Sequence, residues 1–477
     1  MRSSFTALLV LFLAACSSSS SDPNVPPPDV PPAEPPPASA AIHGTFHFFV
    51  DQGGKNVEVT KIVYTDAFEV RLEGVPAGAK VDLTSHVYSP AQKGLGYSSK
   101  VTFVADASGA IDTKTMAPIA GSYGGVDPDG IIWSMTAGKL AEGLGPDRAA
   151  LFVHADVDGK GVADGSLGRL VTVEGAKKVD VTDDGLVGVY YAPPNVADEV
   201  PVLAFGGSEG GISGGEFYAA HFAAMGHPAL GVAYFGAAGV PSDLDNVPLE
   251  YFQKALAWLD KQAETRKGKA VVVGGSRGGE LALLLGATLP GVAGVIAETP
   301  SSYRWAGLAP NGDAAWTWQG KPLPFLDTGN SSLDVPPTKT MPDGTEAWVL
   351  RPMFEKALAN APADKLEAAR NAVENAQGPV LMLGGSDDQM WPACDFIDRA
   401  MKKLDDTGHS AKYGDEGICF QDAGHAVGMV GLPTTDSMWA ALGTDAYALG
   451  GTAAGNAKSG RPAEAKMRAL LAKVSAR

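Results

Sequence analysis

The chain has 477 residues, 45% of them hydrophobic and 19% charged, a globular composition long enough for two or three domains, each with its own core. Its formal charge of −17 argues against nucleic acid and anionic membrane surfaces as partners, because both require clustered Lys and Arg.

The chain opens on Arg2, an apolar run from Phe5 to Leu13 too short to span a bilayer, and Leu13-Ala14-Ala15-Cys16. Small residues ending in cysteine resemble the signals of bacterial lipoproteins, in which the cysteine is lipidated and becomes the mature N-terminus. Residues 1–15 are therefore expected to be a signal peptide, with Cys16 the lipidation site. Acyl chains on Cys16 would hold the protein to a membrane without a transmembrane helix. Ser17 in place of aspartate fits outer-membrane sorting, so the expected location is the cell envelope. Residues 16–41 are serine and then proline, with triple prolines at 26–28 and 35–37. Such a run favours extended polyproline conformation and makes a tether, extended at about 3.1 Å per residue.

Residues 42–172 contain short alternating segments (FHFFV, VEVTKIVYT, FEVRLEGV, KVDLTSHVY, KVTFVAD, IIWSM, ALFVHADV) separated by Gly, Asp and Pro. Seven or more short strands with frequent turns predict an all-β sandwich. The alternating aspartates of Asp156–Gly165 imitate a calcium loop. No glutamate follows at the twelfth position, however, and a hairpin turning at Asp158-Gly159 is the better reading.

From residue 173 to 477 strands alternate with helices, which predicts a mostly parallel sheet with helices on both faces. KKVDV and GLVGVYY form a hairpin. The buried strands VPVLAFGG, PALGVAYF, KAVVVGG, VAGVIAE and PVLMLGG follow, with helices around Glu216–Met225, in LEYFQKALAWLDKQ and in WPACDFIDRAMKKL. Residues 299–377 form an insertion rich in Trp, Pro and Gly, containing helical DKLEAARNAVENA. Inserts there lie over the carboxyl ends of the strands, where a lid would sit. AKYGDEGICF is the last strand, and a closing helix runs from Pro462.

The chemistry centres on KAVVVGGSRGGELALLLGATL. Strand, G-x-S-x-G and helix make a nucleophile elbow that lifts the hydroxyl of Ser276 above the sheet. The motif also occurs around Ser208 and Ser213. Ser213 has no strand before it, and Ser208 is followed by a glycine loop rather than a helix. A serine hydroxyl needs a base, and the base an orienting carboxylate, in the chain order Ser, acid, His. GGSDDQMWP places Asp387 and Asp388 at a strand end. Asp388, three residues beyond Gly385, is preferred. His425 in QDAGHAVG is the base, since His43, His47, His86 and His154 fall in the sandwich while His221, His227 and His409 lie on or beside helices. The oxyanion hole should combine the backbone N–H of Arg277 with that of Ser208, or else of Gly207, in the FGGSEGG loop. No metal-ligand spacing and no nucleotide fingerprint appears, so no metal and no cofactor is expected. The substrate expected is a small-molecule ester or thioester. No feature of the sequence sets an oligomeric state.

GSYGGVDPDGIIWSM, LEYFQKALAWL, GGSRGGELAL and GGSDDQMW, in that order, resemble the acyl-CoA thioesterase and bile acid-CoA:amino acid N-acyltransferase family, over about residues 45 to 430. The resemblance implies a sandwich followed by an α/β-hydrolase domain whose nucleophile, acid and histidine fall on Ser276, Asp388 and His425. Amino-acid-conjugating members carry cysteine at the nucleophile, so serine favours transfer to water. An acyltransferase acting on an amine acceptor, and a non-catalytic binding lipoprotein on the same scaffold, are the alternatives. Cys394 and Cys419, the two cysteines besides Cys16, are an even pair in consecutive elements and are expected to form a disulfide in an oxidising compartment. Replacing Cys16 by serine should leave the precursor unprocessed or move the protein out of the membrane fraction. Unchanged membrane partitioning would refute the anchor.

Overall fold

The computed structural model describes residues 42–88, 95–139, 150–328, 336–442 and 445–477. The expected signal peptide, Cys16 and the expected tether lie outside the described residues. Two compact units divide the rest, residues 42–62 and 66–169 in one and residues 63–65 and 170–477 in the other.

The first unit is built from antiparallel sheets. Thr45–Asp51 pairs with Asn56–Glu58 and Glu69–Glu73, and Lys80–Tyr88 lies between Leu95–Val104 and Ala150–Val157. Alternation points one side of each strand inward. Phe48, Val70 and Leu72 from one sheet and Val81, Leu83, Phe103 and Leu151 from the other share one core. At Asp158-Gly159 the chain turns as a two-residue hairpin, with Val157 opposite Lys160 and φ positive at both turn residues (51° and 71°), the geometry whose twist matches the flanking strands. Asp164 of the acidic run is hydrogen-bonded to Nδ1 of His154 at 2.7 Å. One expected strand is absent. The IIWSM segment forms the helical turn Gly130–Trp133, with Ile131 and Ile132 buried. An apolar run this short reads equally as strand or buried turn. Here Ser85 and Ser99 decide it by donating to the Ile131 carbonyl at 2.9 and 2.7 Å, which takes that group out of any ladder.

The second unit carries an eight-stranded sheet of β1 (Lys177–Val181), β2 (Val187–Ala192), β3 (Val202–Phe205), β4 (Ala229–Ala233), β5 (Ala270–Gly275), β6 (Val292–Glu298), β7 (Val380–Gly385) and β8 (Glu416–Phe420). Their spatial order is 1-2-4-3-5-6-7-8. Strand β2 runs antiparallel to both β1 and β4, and the remaining neighbours are parallel. The longer helices are α1 (Ser213–Ala224), α2 (Glu250–Leu259), α3 (Arg277–Thr288), α4 (Arg351–Asn360), α5 (Ala393–Asp406) and α6 (Ala453–Ser475). Because both faces of a parallel sheet are covered, its inner strands are chiefly apolar and buried, whereas the edge strands β1 and β8 are partly exposed. Val272, Leu203 and Val295 enter one core with residues of α2 and α3, while Val271, Val273 and Ile296 enter the other with residues of α1 and α6.

Several segments differ from the sequence reading, among them AKYGDEGICF, which is a strand only over Glu416–Phe420 because Ala411–Tyr413 belong to the short helix His409–Tyr413. The DKLEAARNAVENA segment is α-helical only over Ala363–Ala369, with a single 3-10 turn at Val373–Asn375. Beyond it Arg370 bridges to Tyr303, and the buried Asn371 side chain donates to the carbonyls of Glu280 (3.3 Å) and Ser301 (3.4 Å), so tertiary hydrogen bonds replace helical ones. The closing helix begins at Ala453, where the Thr452 hydroxyl accepts the Gly455 N–H at 2.9 Å, and Pro462 lies inside it. The early part of the 299–377 insertion is core rather than cover, since Ser301, Ser302, Tyr303, Arg304 and Trp305 are all buried. In contrast, α4 buries no residue fully.

Cys394 at the start of α5 and Cys419 on β8 are joined, their Cα atoms 5.6 Å apart. Gly384, opposite Cys419 in the ladder, lets α5 pack closely here, for a methyl there would sit 2.8 Å from Ile397 Cδ1. Closing a loop of 25 residues stabilises by about 3 kcal/mol in the chain-entropy model. Replacing both cysteines by alanine should lower the thermal midpoint by roughly 5–10 °C. An unchanged midpoint in the double variant would contradict this.

Candidate active site

Strand β5 is fully buried up to Gly274, and the chain then turns directly into α3. Ser276 stands at that turn with φ 57° and ψ −122°. A non-glycine residue at positive φ stores backbone strain that its surroundings must hold. Two features hold it. The Ser276 N–H donates to the carbonyl of Glu298 at 2.9 Å, and the Ser276 carbonyl receives the Glu280 N–H at 3.0 Å. Close passage does the rest, because a methyl at Gly278 would overlap the carbonyl of Gly206. The amides of the first turn of α3 thereby face the serine with no helical acceptor of their own.

Asp388 follows β7 and His425 follows β8. Asp388 is fully buried, and its Oδ2 lies 2.8 Å from His425 Nδ1. Its Oδ1 accepts the N–H groups of Met390 (2.8 Å) and Trp391 (3.2 Å), so the carboxylate is satisfied without water. The neighbouring Asp387 faces elsewhere, accepting from the Gln389 side chain and from the Gly451 N–H at 3.0 Å, and so braces the loop. The His425 N–H donates to the Leu449 carbonyl at 2.7 Å, and the Trp391 ring packs edge-on at 5.7 Å. With Nδ1 on the carboxylate, Nε2 is the nitrogen left to exchange protons, and it is buried without a hydrogen-bond partner among the described residues. The other helix-side histidines are packing groups. His409 is buried between Asp415 (2.6 Å) and the Ala376 carbonyl (2.9 Å), and His227 is bonded to the Val200 carbonyl at 3.0 Å.

The FGGSEGG loop, expected to supply an oxyanion donor, follows β3. Gly207 is corrected as a donor to substrate, because its N–H is already taken by both carboxylate oxygens of Glu209, at 2.9 and 3.0 Å. The Ser208 N–H has no acceptor among the described residues.

Several residues that hold this site escape sequence reasoning. Arg277, next to the serine, is buried and pairs with Glu280 at 3.3 Å, while also donating to the Trp305 carbonyl at 3.1 Å. Glu280 also accepts the Trp316 indole N–H at 2.7 Å. This pair ties the elbow helix to the insertion, and burial pushes the Glu280 carboxyl up against the pull of Arg277. Arg351 of α4 donates to the Asp388 carbonyl at 3.2 Å. Glu298, at the end of β6 opposite Gly275, accepts the Tyr218 hydroxyl. The signal that could have found Glu280 and Glu298 is a carboxylate inside an otherwise apolar stretch, ELALLLG and VAGVIAE. Among the described residues no group of His, Cys, Asp and Glu could hold a metal ion, and no helix is long and apolar enough to cross a membrane.

With the geometry established, comparison with known proteins is informative. A profile described as "BAAT / Acyl-CoA thioester hydrolase C terminal" matches residues 247–474, and one described as "Acyl-CoA thioester hydrolase/BAAT N-terminal region" matches residues 65–183. The chain belongs to the acyl-CoA thioester hydrolase/BAAT family. Among similar proteins, acyl-coenzyme A thioesterase 1 of Homo sapiens is 25% identical over 346 residues, covering 70% of this chain and 76% of its own. Mitochondrial acyl-coenzyme A thioesterase 2 of Rattus norvegicus is 24% identical, covering 70% and 71%. Of solved structures, a Pyrobaculum calidifontis esterase aligns with TM-score 0.38 at 14% identity, covering 64% of this chain and 86% of its own. A dienelactone hydrolase-like promiscuous phosphotriesterase from metagenomic libraries aligns with TM-score 0.35 at 18% identity, covering 63% and 98%.

Burial raises the Glu298 carboxyl from its ordinary 4.5 to about 7, against a smaller opposing pull from the Tyr218 hydroxyl. Its neutral form is thus preferred in the folded state. The stability it contributes is complete below pH 4.5 and is lost as pH rises to about 7. Glu298→Gln should remove that dependence, so its stability relative to the parent should improve across this window and level off above it. Denaturant titrations of both proteins from pH 4 to 8 check this, and a pH-independent difference would contradict it.

Proposed function

We propose that this chain is a serine hydrolase in which Ser276 attacks an acyl ester or thioester, His425 carries the proton and Asp388 orients the imidazole. The observation that carries the reading is the pairing of a strained serine at a strand-to-helix turn with a buried carboxylate–imidazole dyad whose outer nitrogen has no hydrogen-bond partner among the described residues. In this mechanism Nε2 takes the hydroxyl proton as Oγ bonds to the acyl carbon. Asp388 stabilises the imidazolium, and the same proton passes to the leaving alcohol or thiol. Water then repeats the sequence on the acyl-enzyme. The negative oxygen of each tetrahedral intermediate meets the N–H groups of Arg277 and Ser208.

The surroundings support an acyl substrate. Trp391, packed on His425, continues into Phe354 at 5.6 Å and Trp305 at 4.7 Å from Phe354, an aromatic wall suited to an apolar acyl group. The relatives are named as acyl-coenzyme A thioesterases. The Cys16 signal points to a lipid-anchored protein of a bacterial envelope, where coenzyme A is not expected, so the reaction class is proposed without that carrier. Serine at the nucleophile favours water over an amine as acceptor.

Ser276→Ala should lower cleavage of a nitrophenyl ester by on the order of 10³-fold or more. A fluorophosphonate should label Ser276 in the parent. Label on Ser208, or near-parental activity in the variant, would end this reading.

A further inference from the structure

The oxyanion loop carries a carboxylate that the mechanism above leaves unused. Glu209 folds back onto its own loop, and both oxygens accept the N–H of Gly207. Space for it is made by absent side chains, since a methyl at either Gly206 or Gly214 would overlap Glu209 Oε1. Across the same backbone the buried Tyr234 donates its hydroxyl to the carbonyls of Gly206 at 2.9 Å and Gly207 at 3.3 Å. The peptide joining residues 206 and 207 is therefore held at both ends, its carbonyl by Tyr234 and its N–H by Glu209.

Peptide planarity carries this constraint forward. In a trans peptide the C=O and N–H point to opposite sides. The Gly207 carbonyl is turned to Tyr234, so the Ser208 N–H of that peptide points away from it. This stretch also abuts the elbow, for a methyl at Gly207 would sit 3.1 Å from Ser276 Cβ and 3.0 Å from the Gly275 carbonyl. His425 is near enough for its charge to act on Glu209.

We propose that Glu209 is a positioning residue for the acyl-transfer step, fixing the Gly207 peptide so that the Ser208 N–H, together with that of Arg277, meets the developing oxyanion. The inference rests on Ser276 being the nucleophile. Glu209 forms and breaks no bond to substrate. It keeps the Gly207 N–H occupied and the loop in one orientation, so that the hole exists before the substrate arrives.

The test measures kcat, KM and thermal midpoint with a nitrophenyl ester for Glu209→Ala, Glu209→Gln, Tyr234→Phe and Ser276→Ala. Glu209→Ala should lower kcat by roughly 10²- to 10³-fold, the range for a lost oxyanion contact, with KM within about threefold. Glu209→Gln keeps an oxygen for the Gly207 N–H and should restore most of the rate. Tyr234→Phe, which removes only the opposing hydroxyl, should lower kcat about tenfold. It keeps the proposal testable if the alanine variant does not fold, and an unchanged kcat there overturns the proposal. A faster Glu209→Ala enzyme would mean that the carboxylate blocks the hole, and a glutamine variant as slow as alanine would mean that charge rather than the acceptor matters. Either outcome overturns the positioning role. Parental kcat in Glu209→Ala alongside an inactive Ser276→Ala overturns it while leaving the nucleophile in place, whereas an active Ser276→Ala removes the reading beneath both.

Discussion

The site depends on one backbone constraint, a serine held at φ 57° where a buried strand turns into a helix. Such a conformation costs on the order of 1–3 kcal/mol and persists only where its surroundings over-determine it. Here the strand before it is buried, the helix after it packs into the apolar core, and the N–H of the strained residue is held by β6. A residue placed this way exposes its side chain and the first amides of α3 at the same point. The proposed nucleophile and one proposed oxyanion donor thus arise from a single turn, and the remaining elements bring groups to it.

Those groups are chiefly carboxyls, and each environment gives its carboxyl a different task. Asp388 is buried, and both of its oxygens are occupied, one by two backbone N–H groups and the other by the imidazole. Glu298 meets a hydroxyl in an apolar setting, and its carboxyl is pushed to about 7. Glu280 is paired with Arg277 and links the elbow to the insertion. Glu209 is spent on one backbone N–H of the oxyanion loop. Four acidic residues in one neighbourhood would repel if all were equally solvated and equally ionised. Their separate partners prevent that.

What was legible in the sequence follows from how local each signal is. The order of strands and helices in the second unit was readable because each buried strand is a continuous apolar run and each helix has its own period. The elbow was readable for the same reason, since strand, glycines, serine and helix are contiguous. Asp388 could be preferred over Asp387 from its distance to the strand end, and the contact with His425 lies on that side. The occupied N–H of Gly207 was not readable, because it depends on a side chain folding back over two glycines. Nor was the end of the helix at Ala369, where the competing hydrogen bonds come from residues about seventy to ninety positions away. The IIWSM segment misled because an apolar run too short to show a period carries no information about handedness or pitch.

The most direct test of the central claim is acid-quench mass spectrometry of the protein during turnover of a slowly deacylating nitrophenyl ester. A covalent acyl-enzyme is the account's distinguishing intermediate, and it should appear as one acyl mass on the peptide containing Ser276, formed with a burst of nitrophenol. Steady turnover with no acylated peptide and no burst, or an acyl group on Ser208, would contradict it.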